Sequence, residues 1–141
     1  MRRECRLLLV RMAALVLAAC GSDNEFEAQL TGDAERPTPV ATSATGEVAA
    51  TLGEDELTLV VAGSFEGLTG PATAAHIHGP ADEETAAGII CPLAASADAT
   101  GTVIGTCTMT EEQVEQLRDG LMYVNVHTAQ FPQGEIRGQL E

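Results

Sequence analysis

Polar and apolar residues alternate one for one in short runs along most of this chain, and a period of two belongs to β-strands rather than helices. In "EVAATL" the alternation sets Val48, Ala50 and Leu52 on one face. In "ELTLVVAGSFEGL" it gathers Leu57, Leu59, Val61 and Phe65, after a turn at residues 53–55. "FEAQLTG" opens the series, and "RPTPVATSATG" is demoted to a loop or edge segment by Pro37 and Pro39. "ATAAHIHG", "AAGIICPLAA", "GTVIGTCTM", "LMYVNVHT" and "GEIRGQLE" continue it. Only "TEEQVEQLRDG" carries a helical signature, with Thr110 as N-cap, acids in the first turn, Val114 and Leu117 inward and Gly120 as the stop. The pattern predicts an all-β sandwich or barrel with one short helix near 110–119. Aromatic residues are only 3% of the chain, so its core has to be built from Val, Leu, Ile and Ala.

The N-terminus is a targeting signal and not part of that fold. "MRRECRLLLVRMAALVLAAC" opens on arginines, runs through an apolar stretch and ends with Leu17, Ala18 and Ala19 before Cys20. The apolar stretch from Leu7 to Ala19, interrupted by Arg11, is shorter than the about 20 residues a spanning helix needs. This is the pattern of a bacterial lipoprotein signal over residues 1–19, with lipid on Cys20 and a tether over 20–25 before a single domain at 26–141. Acylation at two points would hold the protein on a membrane, where one chain alone binds only marginally. The expected location is the bacterial cell envelope, extracytoplasmic. Gly21, rather than Asp, after Cys20 favours the outer membrane where there are two.

From Cys20 onward the chain has three arginines, no lysine and twenty acidic residues, a formal charge of −17. Nucleic acid is excluded as a partner by this balance, and anionic membrane surfaces are unfavourable, because both require basic patches. The acids are scattered and form no calcium-loop pattern, so they read as a solvated surface. With Cys5 in the signal and Cys20 lipidated, Cys91 and Cys107 remain, and an oxidising compartment predicts that they pair.

The chain has three histidines, and alternation brings all of them to one side. Ala75 and Ile77 share one face of their strand, leaving His76 and His78 on the other. Val124 and Val126 do the same for Tyr123, Asn125 and His127, and Ile136 and Leu140 for Glu135 and Arg137. If these strands are neighbours, one polar face carries all seven. An H-x-H pair on a strand holds its imidazoles about 6.5–7 Å apart at Cα, close enough to share one ion. His127 would add a third ligand and Glu135 a fourth, completing a sphere for copper or zinc, with Tyr123, Asn125 and Arg137 in support. The alternative is a hydrogen-bonded network in which Arg137 pairs with Glu135 and the histidines are structural or face a partner.

Three stretches carry a family resemblance: "EAQLTGDAERPTPVATSATGEV", "AAHIHGPA" and "GLMYVNVHTAQFPQGEIRGQL". In this order they resemble the chordin-type (CHRD) domain, through Leu30, Gly32, Glu35, Pro37, Pro39, Val40, Thr45 and Gly46 in the first block, and they span nearly all of the chain after the signal. The resemblance implies an immunoglobulin-like, Greek-key β-sandwich and a binding or interaction module. In chordin such domains accompany modules that bind secreted growth factors, a role tied to no residue that carries over. The chain departs from the family in the acidic segment "ADEETAAG" after H-x-H-G and in its cysteine pair. A more limited likeness, to copper/zinc superoxide dismutase, rests on an H-x-H strand and a late histidine. Three histidines are too few for that enzyme's dinuclear site, whereas a mononuclear site can be assembled.

No nucleophile–base pair, G-x-S-x-G elbow or phosphate-binding glycine loop is present, so enzymatic activity has little support unless a metal supplies it. Two readings follow. One is a lipid-anchored binding module with an extracellular protein or glycan partner. The other is a copper- or zinc-binding protein serving metal handling or redox protection.

Overall fold

A computed structural model describes residues 23–141. The segment read as a signal and Cys20, the expected lipidation site, lie outside the described residues. Eight strands follow in order: β1 (Glu25–Thr31), β2 (Thr45–Leu52), β3 (Thr58–Glu66), β4 (Ala72–His78), β5 (Ile89–Ala95), β6 (Gly101–Thr108), β7 (Tyr123–Thr128) and β8 (Ile136–Gln139). One helix, α1 (Glu111–Arg118), joins β6 to β7, and a 3-10 turn (Gly32–Ala34) follows β1. Thr110 caps α1 in a capping box with Gln113, while Val114 and Leu117 are buried, as their spacing predicts. Among the described residues no helix is long and apolar enough to cross a membrane.

The expected two-sheet sandwich is corrected to a single closed sheet, ordered β1-β2-β3-β6-β5-β4-β7-β8 and returning to β1. All neighbours are antiparallel. Period-two alternation is the same for a sandwich and a barrel; what decides is whether the outer strands find each other. Here Thr31 of β1 pairs with Arg137 of β8, and Glu27 and Glu141 exchange both backbone hydrogen bonds. Gly138 permits this seam, because a Cβ there would collide with the Gln29 carbonyl. Closure removes both sheet edges, and eight strands leave an interior that side chains can fill.

That interior is the hydrophobic core. It is lined by the inward faces the alternation predicts, among them Val48, Ala50 and Leu52, then Leu59, Val61 and Phe65, and Val124, Val126 and Ile136. Phe26 and Phe65 are its only phenylalanines, and Met109 and Met122 join the aliphatic residues. The disulfide between Cys91 and Cys107 ties the neighbouring strands β5 and β6 in the wall of this interior, with Cα atoms 6.0 Å apart. In the chain-entropy model, closing a loop of this size stabilises the fold by about 3 kcal/mol.

Candidate functional site

Strand register builds the site. β7 lies between β4 and β8, so the three strands that carry the polar pattern are neighbours. His78 stands opposite Tyr123, Ala74 opposite His127, and Asn125 between His76 on one side and Arg137 on the other. Ala75, Ile77, Val124, Val126 and Ile136 fill the barrel, which turns the histidines, Tyr123, Asn125 and Arg137 outward.

This outward face is nevertheless covered, and every residue of β7 is buried. The acidic segment between β4 and β5 folds back over β7 and β8 and is held there by backbone carbonyls. Arg137 donates to the carbonyls of Thr85 (2.8 Å) and Asp82 (2.7 Å), and Gln139 Nε2 donates to that of Ala81. The guanidinium also lies 3.6 Å from the centroid of the Tyr123 ring, whose plane is within 3° of parallel to His78. From the other side the β7–β8 connection closes in, receiving hydrogen bonds from His127 and Asn125.

The acceptors around the histidines assign their tautomers. His127 Nδ1 faces the Pro132 carbonyl at 3.0 Å, and His78 Nδ1 faces the Ala87 carbonyl at 2.9 Å. A carbonyl only accepts, so each Nδ1 carries the proton and each Nε2 keeps its lone pair. His76 Nδ1 lies 3.0 Å from His127 Nε2 and, with both rings neutral, donates to it. Each imidazole can thus offer one nitrogen to a common point, and the three atoms lie within 4.8 Å of one another. Two nitrogens on one tetrahedral ion, at about 2.0–2.1 Å each, are about 3.3 Å apart. The His76–His127 pair is near that spacing, and for both nitrogens to ligate one ion the His76 proton has to sit on Nε2 instead of Nδ1. Anchoring a ligand histidine through its other nitrogen to a carbonyl fixes ring and tautomer, as metal sites require.

Burial lowers the pKa of all three rings below the ordinary 6.5, and positive charge on a neighbour lowers each further: His78 acts on His76, Arg137 on His78, and His76 and His78 on His127. The backbone hydrogen bonds from His78 and His127, and the Asn125 side chain beside His78, oppose the shift without reversing it. The rings are therefore neutral, and able to ligate, at lower pH than exposed histidines.

Among the described residues, three buried side-chain atoms lack any hydrogen-bond partner: His78 Nε2, Asn125 Oδ1 and Glu35 Oε1. All three residues line one cleft of about 380 Å³ with His76, His127 and Tyr123. Buried polar atoms are rarely left unpaired, and three in one cleft, all hydrogen-bond acceptors, call for a cation or a hydrogen-bond donor.

Glu135 is not part of this site, which corrects its assignment as a fourth ligand. It precedes β8, after Gly134 at φ +127°, and alternation does not extend to it. Its fully buried carboxylate (0% exposed) instead accepts from the hydroxyls of Thr42, Thr69 and Thr128 and from the Thr69 amide, at 2.8–2.9 Å. The expected Arg137–Glu135 pair is likewise replaced by the carbonyl contacts of Arg137. Glu35, which periodicity could not reach, is the carboxyl group in the cleft. It follows the 3-10 turn and packs beside Asn125 across Gly134, where a Cβ would meet both. Burial pushes its pKa up to about 7 against the pull of the Arg137 charge.

Searches of curated proteins and of solved structures give no match. The model of the CHRD domain matches residues 26–140, from the second residue of β1 to the penultimate residue of the chain, and takes in every residue of the cleft. The chain belongs to the CHRD domain family.

Proposed function

We propose that this CHRD domain is a binding module whose ligand is a single copper or zinc ion, held by His76, His78 and His127. The observation that carries the reading is the buried His78 Nε2, unpartnered and locked as an acceptor by the Nδ1–Ala87 hydrogen bond, in a cleft shared with two more imidazoles. Three imidazoles suit both metals. The acidic composition adds long-range attraction for cations. The signal pattern ending at Cys20 supports anchoring in the cell envelope by lipid, where such a protein would serve metal handling or redox protection.

A competition titration with a chromophoric chelator tests this. One equivalent of Cu or Zn should bind the wild type, and His78→Ala should weaken binding by about 100-fold or more. At 1,000 times its Kd the metal should raise folding stability by about 4 kcal/mol. Because the imidazole pKa values are lowered, affinity should change little as pH falls toward 6.5 and drop only below it. Affinity unchanged in His78→Ala would refute the assignment. The cleft would then belong to a protein or glycan partner.

A further inference from the structure

The three imidazoles are not held alike. His78 and His127 are each 8% exposed, and each donates its Nδ1 proton to a backbone carbonyl, Ala87 and Pro132 respectively. That anchor fixes the ring and leaves Nε2 as the ligating atom. His76 on β4 is only half-buried, and among the described residues its ring makes one hydrogen bond, to His127 Nε2 at 3.0 Å. Its own Nε2 has no protein partner and is open to solvent. The His76–His127 hydrogen bond therefore ties up both nitrogens that an ion would take from this pair. His127 Nε2 accepts a proton where it would accept the metal, and His76 Nδ1 carries that proton in place of a lone pair. The hydrogen bond and a three-histidine ion are alternatives.

Resting on the metal reading above, we propose that His76 is the latch of this site: paired with His127 it bars the ion, and in its other tautomer it ligates it. His78 and His127 are the fixed part, and the ion enters and leaves at His76. The exchange balances in protons. On loading, the His76 Nδ1 proton passes to water, and water delivers one to the solvent-open Nε2. The ring stays neutral, and its Nδ1 lone pair replaces one water ligand of the incoming ion. Release is the reverse: water or a donor atom of an acceptor takes the coordination position as the Nδ1–metal bond breaks, and the hydrogen bond to His127 re-forms. Because each loading gives up a hydrogen bond, the latch lowers affinity below that of three preorganised rings. Such a site is suited to passing an ion on rather than storing it.

Imidazole nitrogen–proton correlation spectra of the isotope-labelled protein, recorded without and with one equivalent of Zn(II), read the tautomers directly. Without zinc all three rings should carry the proton on Nδ1. With zinc, His78 and His127 should keep it there, while His76 moves it to Nε2 and bonds the metal through Nδ1. Stopped-flow loading gives a second reading. His76→Ala should take up zinc about fivefold faster than the wild type, a difference of about 1 kcal/mol, because His127 Nε2 starts free. It should also release zinc to excess chelator at least about tenfold faster. His78→Ala should load no faster, since the Nε2 of His78 engages no other ring. A His76 ring that carries its proton on Nε2 without zinc, or on Nδ1 with zinc bound, would overturn the latch and leave the histidine site standing. So would a His76→Ala variant that loads no faster than the wild type. A wild type that binds no zinc would overturn both.

Discussion

Replacing Glu135 with alanine is expected to destabilise the domain by about 4 kcal/mol, more than any other single carboxylate among the described residues, when measured by urea unfolding. Its carboxylate is a buried charge with no cation beside it, made tolerable by four hydrogen bonds from three threonines. Those threonines come from the segment before β2, the β3–β4 connection and the end of β7, so one side chain pins three pieces of chain at one end of the barrel. Alanine leaves the Thr69 amide and the hydroxyls without their common acceptor. Glutamine keeps one acceptor atom and should cost about half as much.

The pH dependence follows with its sign. Burial works to raise the Glu135 pKa, but the bonds from Thr128, Thr69 and Thr42 outweigh it and hold the carboxyl below its ordinary 4.5. Its contribution is complete above that ordinary value and is lost as pH falls from there through the lower folded-state pKa. Wild-type stability should therefore fall more steeply than that of Glu135→Gln when acidified below about pH 4.5.

Arg137→Ala should have the second largest effect, about 3 kcal/mol, together with a 10–100-fold loss of metal affinity although Arg137 touches no proposed ligand atom. Its guanidinium is 1% exposed and has no carboxylate partner. It is satisfied instead by the Asp82 and Thr85 carbonyls, the Gln139 side chain and the face of Tyr123. Losing it frees the 79–88 segment, and with it the Ala87 carbonyl that fixes the His78 tautomer. Amide hydrogen exchange should report faster opening of that segment in the variant. Arg137→Lys should recover only part of the loss, because an ammonium cannot reach two carbonyls in a fork while covering the ring. A variant with full stability and faster exchange nowhere in 79–88 would show that the clamp is not what holds the segment.

The convergence of the three histidines was legible in the sequence because it needs only period-two alternation and adjacent strands. The same rule placed Tyr123, Asn125 and Arg137 correctly. It failed at Glu135, one residue before β8 begins, where Gly134 takes a backbone conformation outside the strand pattern and redirects the chain. Glu35 could not be reached by periodicity at all, since a 3-10 turn and an irregular segment bring it back to β7. Its one sequence signal was its place in the family-like block between Gly32 and Pro37. Closure of the barrel was hidden for a related reason. It depends on a short backbone seam between β1 and β8, and neither alternation nor composition records which outer strands meet. Nor did alternation reveal that the polar face is covered, because the acidic segment reads as solvated. It docks chiefly through its carbonyls, and its one carboxylate contact with the rest of the described residues, Glu84 with Arg36 at 3.5 Å, is an ion pair exposed at Glu84.

The most direct test of the account is the metal content of residues 21–141, produced with the Cys91–Cys107 disulfide intact, beside a His76/His78/His127→Ala variant. Both are exposed equally to Cu and Zn, dialysed, and measured by elemental mass spectrometry. The geometry predicts one ion per wild-type chain and none retained by the variant. Equal metal in the two proteins, or none in either, would contradict it.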